Sequence, residues 1–181
     1  MKYRETVTLK NGSQVMLRNG DFSDGQAVFE VFNKTHEETD FLLSYSDENS
    51  FNEKAESDHL VAKTESPDEI EILAVMDNKI IGMAGIDAIG SKYKVKHRAE
   101  FGISVLKDYW GLGIGKALTA ACIKCAKEAG YVQLELDVVS DNTKALEMYR
   151  KFGFKEFGRN PKEFNSRISG YQELIYMLLE L

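Results

Sequence analysis

The densest chemical signal in the chain is the run Tyr109-Trp110-Gly111-Leu112-Gly113-Ile114-Gly115-Lys116-Ala117-Leu118. Its alternate glycines let backbone N–H groups turn toward one point without an obstructing Cβ. The run opens a helix, whose N-terminus adds about half a positive charge. Together these make an anion site suited to a pyrophosphate. A second signal is Tyr149, a hydroxyl of ordinary pKa near 10 on a later helix. A third is Glu100, a carboxylate on the strand just before the loop, with parity opposite to the apolar Phe101, Ile103 and Val105. Cys122 and Cys125 have C-x-x-C spacing, yet they lie well inside a helix and His36, His59 and His97 are scattered. They read as two small apolar residues on a buried helix face, and no metal site is expected.

Those residues need elements to hold them. Asn11-Gly12 is a hairpin turn between Thr6–Leu9 and Gln14–Arg18. Ser23-Asp24-Gly25-Gln26 fits a capping box before a helix striped by Ala27, Val28, Val31 and Phe32. Ser50-Phe51-Asn52-Glu53 fits another, opening a helix to about Thr64. Glu69–Met76 and Lys79–Ala88 form a strand pair turning at Asp77-Asn78, and His97–Val105 is the strand before the loop. Gly113–Ala129 is a helix capped by Gly130. Val132–Val139 is a strand, Asn142–Phe152 a helix stopped by Gly153, and Phe154–Gly158 and Tyr171–Leu179 are final strands. The order ββ-α-α-ββ-β-α-β-α-β-β is a mixed α/β fold, and residues 1–181 read as one domain.

Composition narrows the function. The chain has 181 residues, 23 basic and 29 acidic, for a net charge of −6. A sequence-independent nucleic-acid binder shows the opposite balance, so no nucleic-acid partner is expected, and the basic run Lys92–Arg98 reads as an exposed strand edge. No apolar run approaches a membrane span and no N-terminal leader is evident, so the expected setting is a reducing cytoplasm without membrane contact.

The loop departs from two familiar phosphate motifs. A Walker A loop lacks its first glycine, replaced by Trp110, and its hydroxyl, replaced by Ala117. A dinucleotide loop lacks its third glycine at Lys116, and an NAD(P)-binding Rossmann arrangement has too few residues after the unit.

The segment resembles the pyrophosphate-binding motif of the GNAT N-acetyltransferase superfamily, [QR]-x-x-G-x-[GA], with Gly113 and Gly115 at its last two defined positions. The run Val139-Ser140-Asp141-Asn142-Thr143-Lys144-Ala145-Leu146-Glu147-Met148-Tyr149-Arg150-Lys151-Phe152-Gly153-Phe154 is similar to that family's V-x-x-x-N-x-x-A-x-x-x-Y-x-x-x-G-F. The likeness covers about residues 69–158 and points to the small bacterial RimI/RimL-like type. Trp110 stands where the motif has Gln or Arg. The resemblance implies a mixed, mostly antiparallel sheet of about seven strands with about four helices, splayed between the family's fourth and fifth strands. It implies transfer of an acetyl group from acetyl-CoA to a primary amine, of a small molecule or a peptide N-terminus, in a ternary complex. Tyr149 then acts as general acid and Glu100 as general base, while an ordinary strand carboxylate remains the other reading of Glu100. Trp110, Gly111, Leu112, Gly113, Ile114, Gly115 and Lys116, the backbone of Ile103 and Val105, and Asn142 with Ala145 are the implied acetyl-CoA contacts. A homodimer is common in the family. A non-catalytic acyl-CoA-binding module is the competing function. The acidic stretch Glu37-Glu38-Thr39-Asp40, between the first two helices, suits a cationic acceptor or a plain surface.

Overall fold

The structure is a computed structural model that describes residues 1–48 and 52–181. It begins with a hairpin of β1 (Arg4–Thr8) and β2 (Gln14–Asn19), turned at Gly12 with φ +86°. Helices α1 (Gly25–Glu38) and α2 (Glu53–Glu65) follow. The expected box at Ser23 moves upstream. Asp21 accepts from Ser23 N–H at 2.8 Å, and Asp24 accepts from Asp21 N–H at 2.9 Å. Asp24 holds that place because Arg18 grips the same carboxylate at 2.6 and 2.7 Å. The second expected box begins outside the described residues. Asn52 caps α2, accepting from Ala55 N–H at 3.0 Å.

β3 (Ile70–Met76) and β4 (Lys79–Ala88) turn at Asp77 and Asn78, both at positive φ, which suits a tight hairpin with matching twist. Then come β5 (Arg98–Val105), α3 (Ile114–Glu128), β6 (Gln133–Val139), α4 (Thr143–Phe152), β7 (Lys155–Ser166) and β8 (Gly170–Glu180). All eight strands lie in one sheet of order β1-β2-β3-β4-β5-β6-β8-β7. That is one strand more than the family resemblance implied. β7 runs far beyond the expected Phe154–Gly158. Register shifts between Glu156 and Gly158 and between Asn160 and Phe164 absorb Pro161, and an edge strand tolerates a missing donor. The Lys92–Arg98 run is a chain of tight turns rather than a strand edge, held by bonds from Val95 and Lys96 N–H to Lys92 C=O.

Strand pairing is antiparallel except between β5 and β6. This excludes the doubly wound parallel alternative. Side-chain alternation divides the sheet into two faces. Ile70, Ile72, Ala84, Ile86, Ala99 and Phe101 pack with Leu118, Cys122 and Cys125 of α3 and with Tyr149 of α4 in the larger core. Both cysteines are buried, and burial raises their thiol pKa values, that of Cys125 to about 11. On the other face Val28, Val31 and Leu60 of α1 and α2 cover Leu73, Ile80 and Met83 in a smaller core.

Candidate active site

The parallel ladder between β5 and β6 is short. It joins Arg98 to Gln133, Ala99 to Leu134 and Glu100 to Glu135, and then stops. Beyond Glu100 the strands part. β5 still pairs with β4 from Ala99 through Val105, and β6 with β8 through Val139. The inner edges of both strands therefore face a cleft, and Ile103 and Val105 lie on its β5 side.

The glycine loop sits at the mouth of this cleft. Gly111 and Gly113 have φ of +80° and +101°, left-handed values that cost other residues about 1–2 kcal/mol. Gly113 is the N-cap of α3. The backbone N–H groups of residues 111–116 donate to no acceptor among the described residues, whereas Ala117 N–H closes the first helical bond to Gly113 C=O. These are the orphan donors of a helix start, lengthened by the loop. A Cβ on Gly115 would lie 3.6 Å from Met148 Sδ and 3.9 Å from Ile103 Cδ1, so loop, α4 and β5 converge there. The stem of Lys10 lies beside Gly113, and its N–H donates to Leu112 C=O at 3.5 Å. No sequence pattern pointed to Lys10, because the contact joins distant segments. Lys116 is exposed, while Ile114 is fully buried in the larger core. The Trp110 indole is 40% exposed, and its Nε1 donates to Val105 C=O at 2.7 Å. The ring thus ties the loop to the end of β5.

Tyr149 projects from α4 into the larger core and is 6% exposed. Its ring meets Phe101 edge-on at 6.2 Å and Phe154 at 5.8 Å. No hydrogen-bond partner reaches its hydroxyl among the described residues. Burial, with the nearby charge of Asp137, raises its pKa well above the ordinary tyrosine value, so it stays a proton donor. Asn142 caps α4, accepting from Ala145 N–H at 3.3 Å. That cap already uses the Ala145 donor.

Glu100 is exposed on the opposite face, in the row Asp87–Glu100–Glu135. Arg98 grips Glu135 through Nη2 at 2.7 Å, and Lys63 pairs with Asp87. Desolvation, then Asp137, Asp87 and Glu135, raise the Glu100 pKa. Adjoining it, between the sheet and α1–α2, is a cavity of about 590 Å³. Phe32, Leu42, Leu43 and Met83 supply apolar walls, while His36, Glu56, His59, Glu71 and Asp87 add titratable groups. Sequence reading singled out neither Glu56 nor Glu71. Desolvation chiefly, with Asp87 and Glu56 reinforcing and Lys63 opposing, raises Glu71 to about 8. Burial lowers the His36 pKa, opposed by its Nδ1 donating to Phe32 C=O at 2.7 Å.

The acidic stretch has a different occupation. Asp40 accepts from Ser166 at 2.7 Å, Ser169 at 2.6 Å and Gln172 at 3.2 Å. Glu38 accepts from Lys107 N–H at 2.7 Å. Both carboxylates bind the chain to itself. Among the described residues no group of three or more His, Cys, Asp or Glu is placed to hold a metal ion, and no helix is long and apolar enough to cross a membrane.

Comparison with known proteins decides the family. The model of the acetyltransferase (GNAT) family matches residues 27–154. The chain belongs to that family. Its relatives include the L-amino acid N-acetyltransferase AaaT of Escherichia coli (strain K12), 25% identical over 168 residues that span 91% of this chain and 97% of the relative. The N-alpha-acetyltransferase of Sulfurisphaera tokodaii is 41% identical over 63 residues, 34% of this chain and 38% of that protein. Among solved structures, a GNAT acetyltransferase from Streptococcus pneumoniae superimposes with a TM-score of 0.88 at 24% identity, covering 92% of this chain and 99% of its own. The yncA structure from Salmonella typhimurium, solved with its cofactor acetyl-CoA, superimposes at 0.81 and 17% identity, covering 92% and 94%. The fold is therefore the GNAT fold, and the protein is an acyltransferase of the N-acetyltransferase class. The splay that the family places between its fourth and fifth strands lies here between β5 and β6.

Proposed function

We propose that the protein moves an acetyl group from acetyl-CoA to a primary amine, of a small molecule or a peptide N-terminus, by direct attack in a ternary complex. The carrying observation is the set of backbone N–H groups at 111–116, unpaired among the described residues and gathered at the start of α3 beside the parting of β5 and β6. Such a cradle fits a diphosphate, because it offers many donors and a helix end to two adjacent negative groups. Trp110, Gly111, Leu112, Gly113, Ile114, Gly115 and Lys116 would hold the diphosphate end. The open edge at Ile103 and Val105 would take the pantetheine arm by strand-like addition, with Asn142 and Ala145 bounding it. Acetyl-CoA supplies the activated thioester.

The chain's own groups then handle protons. A free amine is scarce at neutral pH, because its pKa is about 10.4. Glu100, whose pKa is raised by desolvation and then by like charges, is the general base that draws the ammonium proton away through water or an intervening carboxylate. Tyr149, kept protonated by burial, donates to the departing sulfur. The test is release of free thiol from acetyl-CoA across an amine panel, repeated on Tyr149→Phe and Glu100→Gln. Amine-dependent release, weakened in both variants while coenzyme A still raises the melting temperature, supports the reading. Binding without amine-dependent release would leave only a binding module.

A further inference from the structure

Two mid-strand glycines open a lane across the sheet. Glu71 on β3 pairs with Gly85 on β4, which pairs with Gly102 on β5. Glycine inside a strand is destabilising and marks a close approach. Here the approach is visible: a Cβ on Gly85 would collide with Glu71 Oε2 and press on the Ile70 carbonyl at 3.1 Å. The Glu71 carboxylate therefore lies across Gly85 in the direction of β5. A Cβ on Gly102 would meet nothing within 4 Å, so the lane ends in open space beside the splay. Glu71, Gly85 and Gly102 all line the same cavity.

The charges around this lane are unequally engaged. Asp87 is neutralised by Lys63, which also lies 3.4 Å from Glu69 and donates to Ile86 C=O at 3.5 Å. No donor among the described residues hydrogen-bonds the Glu71 carboxylate. Among the described residues no Lys or Arg lines the cavity, and its walls are otherwise largely apolar. A carboxylate entering it would be desolvated beside Glu56 and Glu71 with no Lys or Arg among the described lining residues to meet it, and with His59 already acting on Glu56, which is unfavourable. An ammonium on an apolar arm meets the opposite conditions.

We infer that Glu71 seats the acceptor's ammonium and takes its proton, and that the acceptor is an amine with an apolar body and no carboxylate of its own. The inference rests on the acetyltransferase reading of the cleft. In the step, an N–H bond of the ammonium breaks and an O–H bond forms on Glu71. The freed nitrogen lone pair is then available to the thioester carbonyl, and the Glu71 proton passes on through water to Glu100 and from there to solvent. The raised pKa of Glu71 brings it nearer the amine range, which makes that transfer easier.

The experiment compares 2-phenylethylamine with L-phenylalanine, with acetyl-CoA and thiol release, in the wild type, Glu71→Gln and Glu71→Asp. Coenzyme A is added to each sample in a melting assay. The amine should exceed the amino acid by about tenfold or more in kcat/KM. Glu71→Gln should lower kcat/KM for the amine by about tenfold or more, and Glu71→Asp less, with the coenzyme A melting shift kept in both. The wild-type kcat/KM should rise through an inflection near pH 8 that Glu71→Gln removes. The other titratable groups around Glu71, namely Asp87, Glu56, His59, Lys63 and His36, remain in that variant. Equal or better use of L-phenylalanine, or an unchanged rate and pH profile in Glu71→Gln, overturns the inference alone. Absence of a coenzyme A shift in the wild type overturns the acetyltransferase reading beneath it.

Discussion

On the α3–α4 side of the sheet, polar chemistry is offered by the backbone. Bare N–H groups follow two left-handed glycines, and a thick apolar core behind them fixes their direction. On the α1–α2 side it is offered by side chains. Glu71, Glu56 and Asp87 stand over a thinner core, and the loop after α1 is held by Asp40. The contrast teaches how one cleft can keep one ligand constant and vary the other. A backbone cradle recognises a diphosphate whatever residues surround it. A carboxylate-lined pocket changes its preference with a single side chain.

The contrast breaks first at Gly113. Valine there must hold φ +101° and place branched carbons over the cradle. Coenzyme A affinity should fall about a hundredfold or more, read by calorimetry, since strain and blocked donors act together. A value within threefold of wild type, on the order of 0.6 kcal/mol, would show that the loop is not the cradle. Next comes Tyr149→Phe, which should lower kcat by about tenfold or more while coenzyme A affinity stays constant. Loss of affinity instead of turnover would make Tyr149 a packing residue.

Asp40→Asn acts on the other side. The wild-type carboxyl feels burial, which raises its pKa, but hydrogen bonds from Ser169, Ser166 and Tyr45 outweigh that and hold it low. A depressed folded pKa stabilises above the unfolded value and loses that contribution as pH falls through the folded value. The variant should therefore be less stable by denaturant unfolding at pH 7, by no more than about 1 kcal/mol because solvent screens the carboxylate. The gap should close in acid, with coenzyme A binding unaffected. A gap that persists in acid would remove the charge from the explanation. Smallest is Trp110→Phe, which keeps a ring but loses the bond to Val105 C=O. It should weaken coenzyme A binding by only a few fold, about the worth of one hydrogen bond between loop and strand.

The donor side was legible because its information is local. The loop 109–118 and the run 139–154 each place their chemistry within one strand-to-helix turn and the helix it opens, so residue type and spacing carry it. The α1–α2 side assembles β3, β4, β5, α1, α2 and a loop, and the proposed acceptor pocket there depends on register. In sequence, Glu69-Ile70-Glu71-Ile72 reads as an alternating strand with a solvated face. Only the pairing of Glu71 with Gly85 and of Gly85 with Gly102 shows that the face is a pocket. The mid-strand glycines were the available sign. The acidic stretch at 37–40, readable as an acceptor site or a plain surface, shows the converse: the carboxylate of Asp40 finds its donors more than a hundred residues away, at Ser166, Ser169 and Gln172.

The central claim is that free amides at 111–116 bind a diphosphate. Calorimetric titration of the wild type with coenzyme A and, separately, with pantetheine, which lacks the diphosphate, tests it directly. The account predicts saturable binding of coenzyme A, at least about a hundredfold tighter than pantetheine and weakened by salt. Equal affinity for the two, or no heat with coenzyme A, would contradict it.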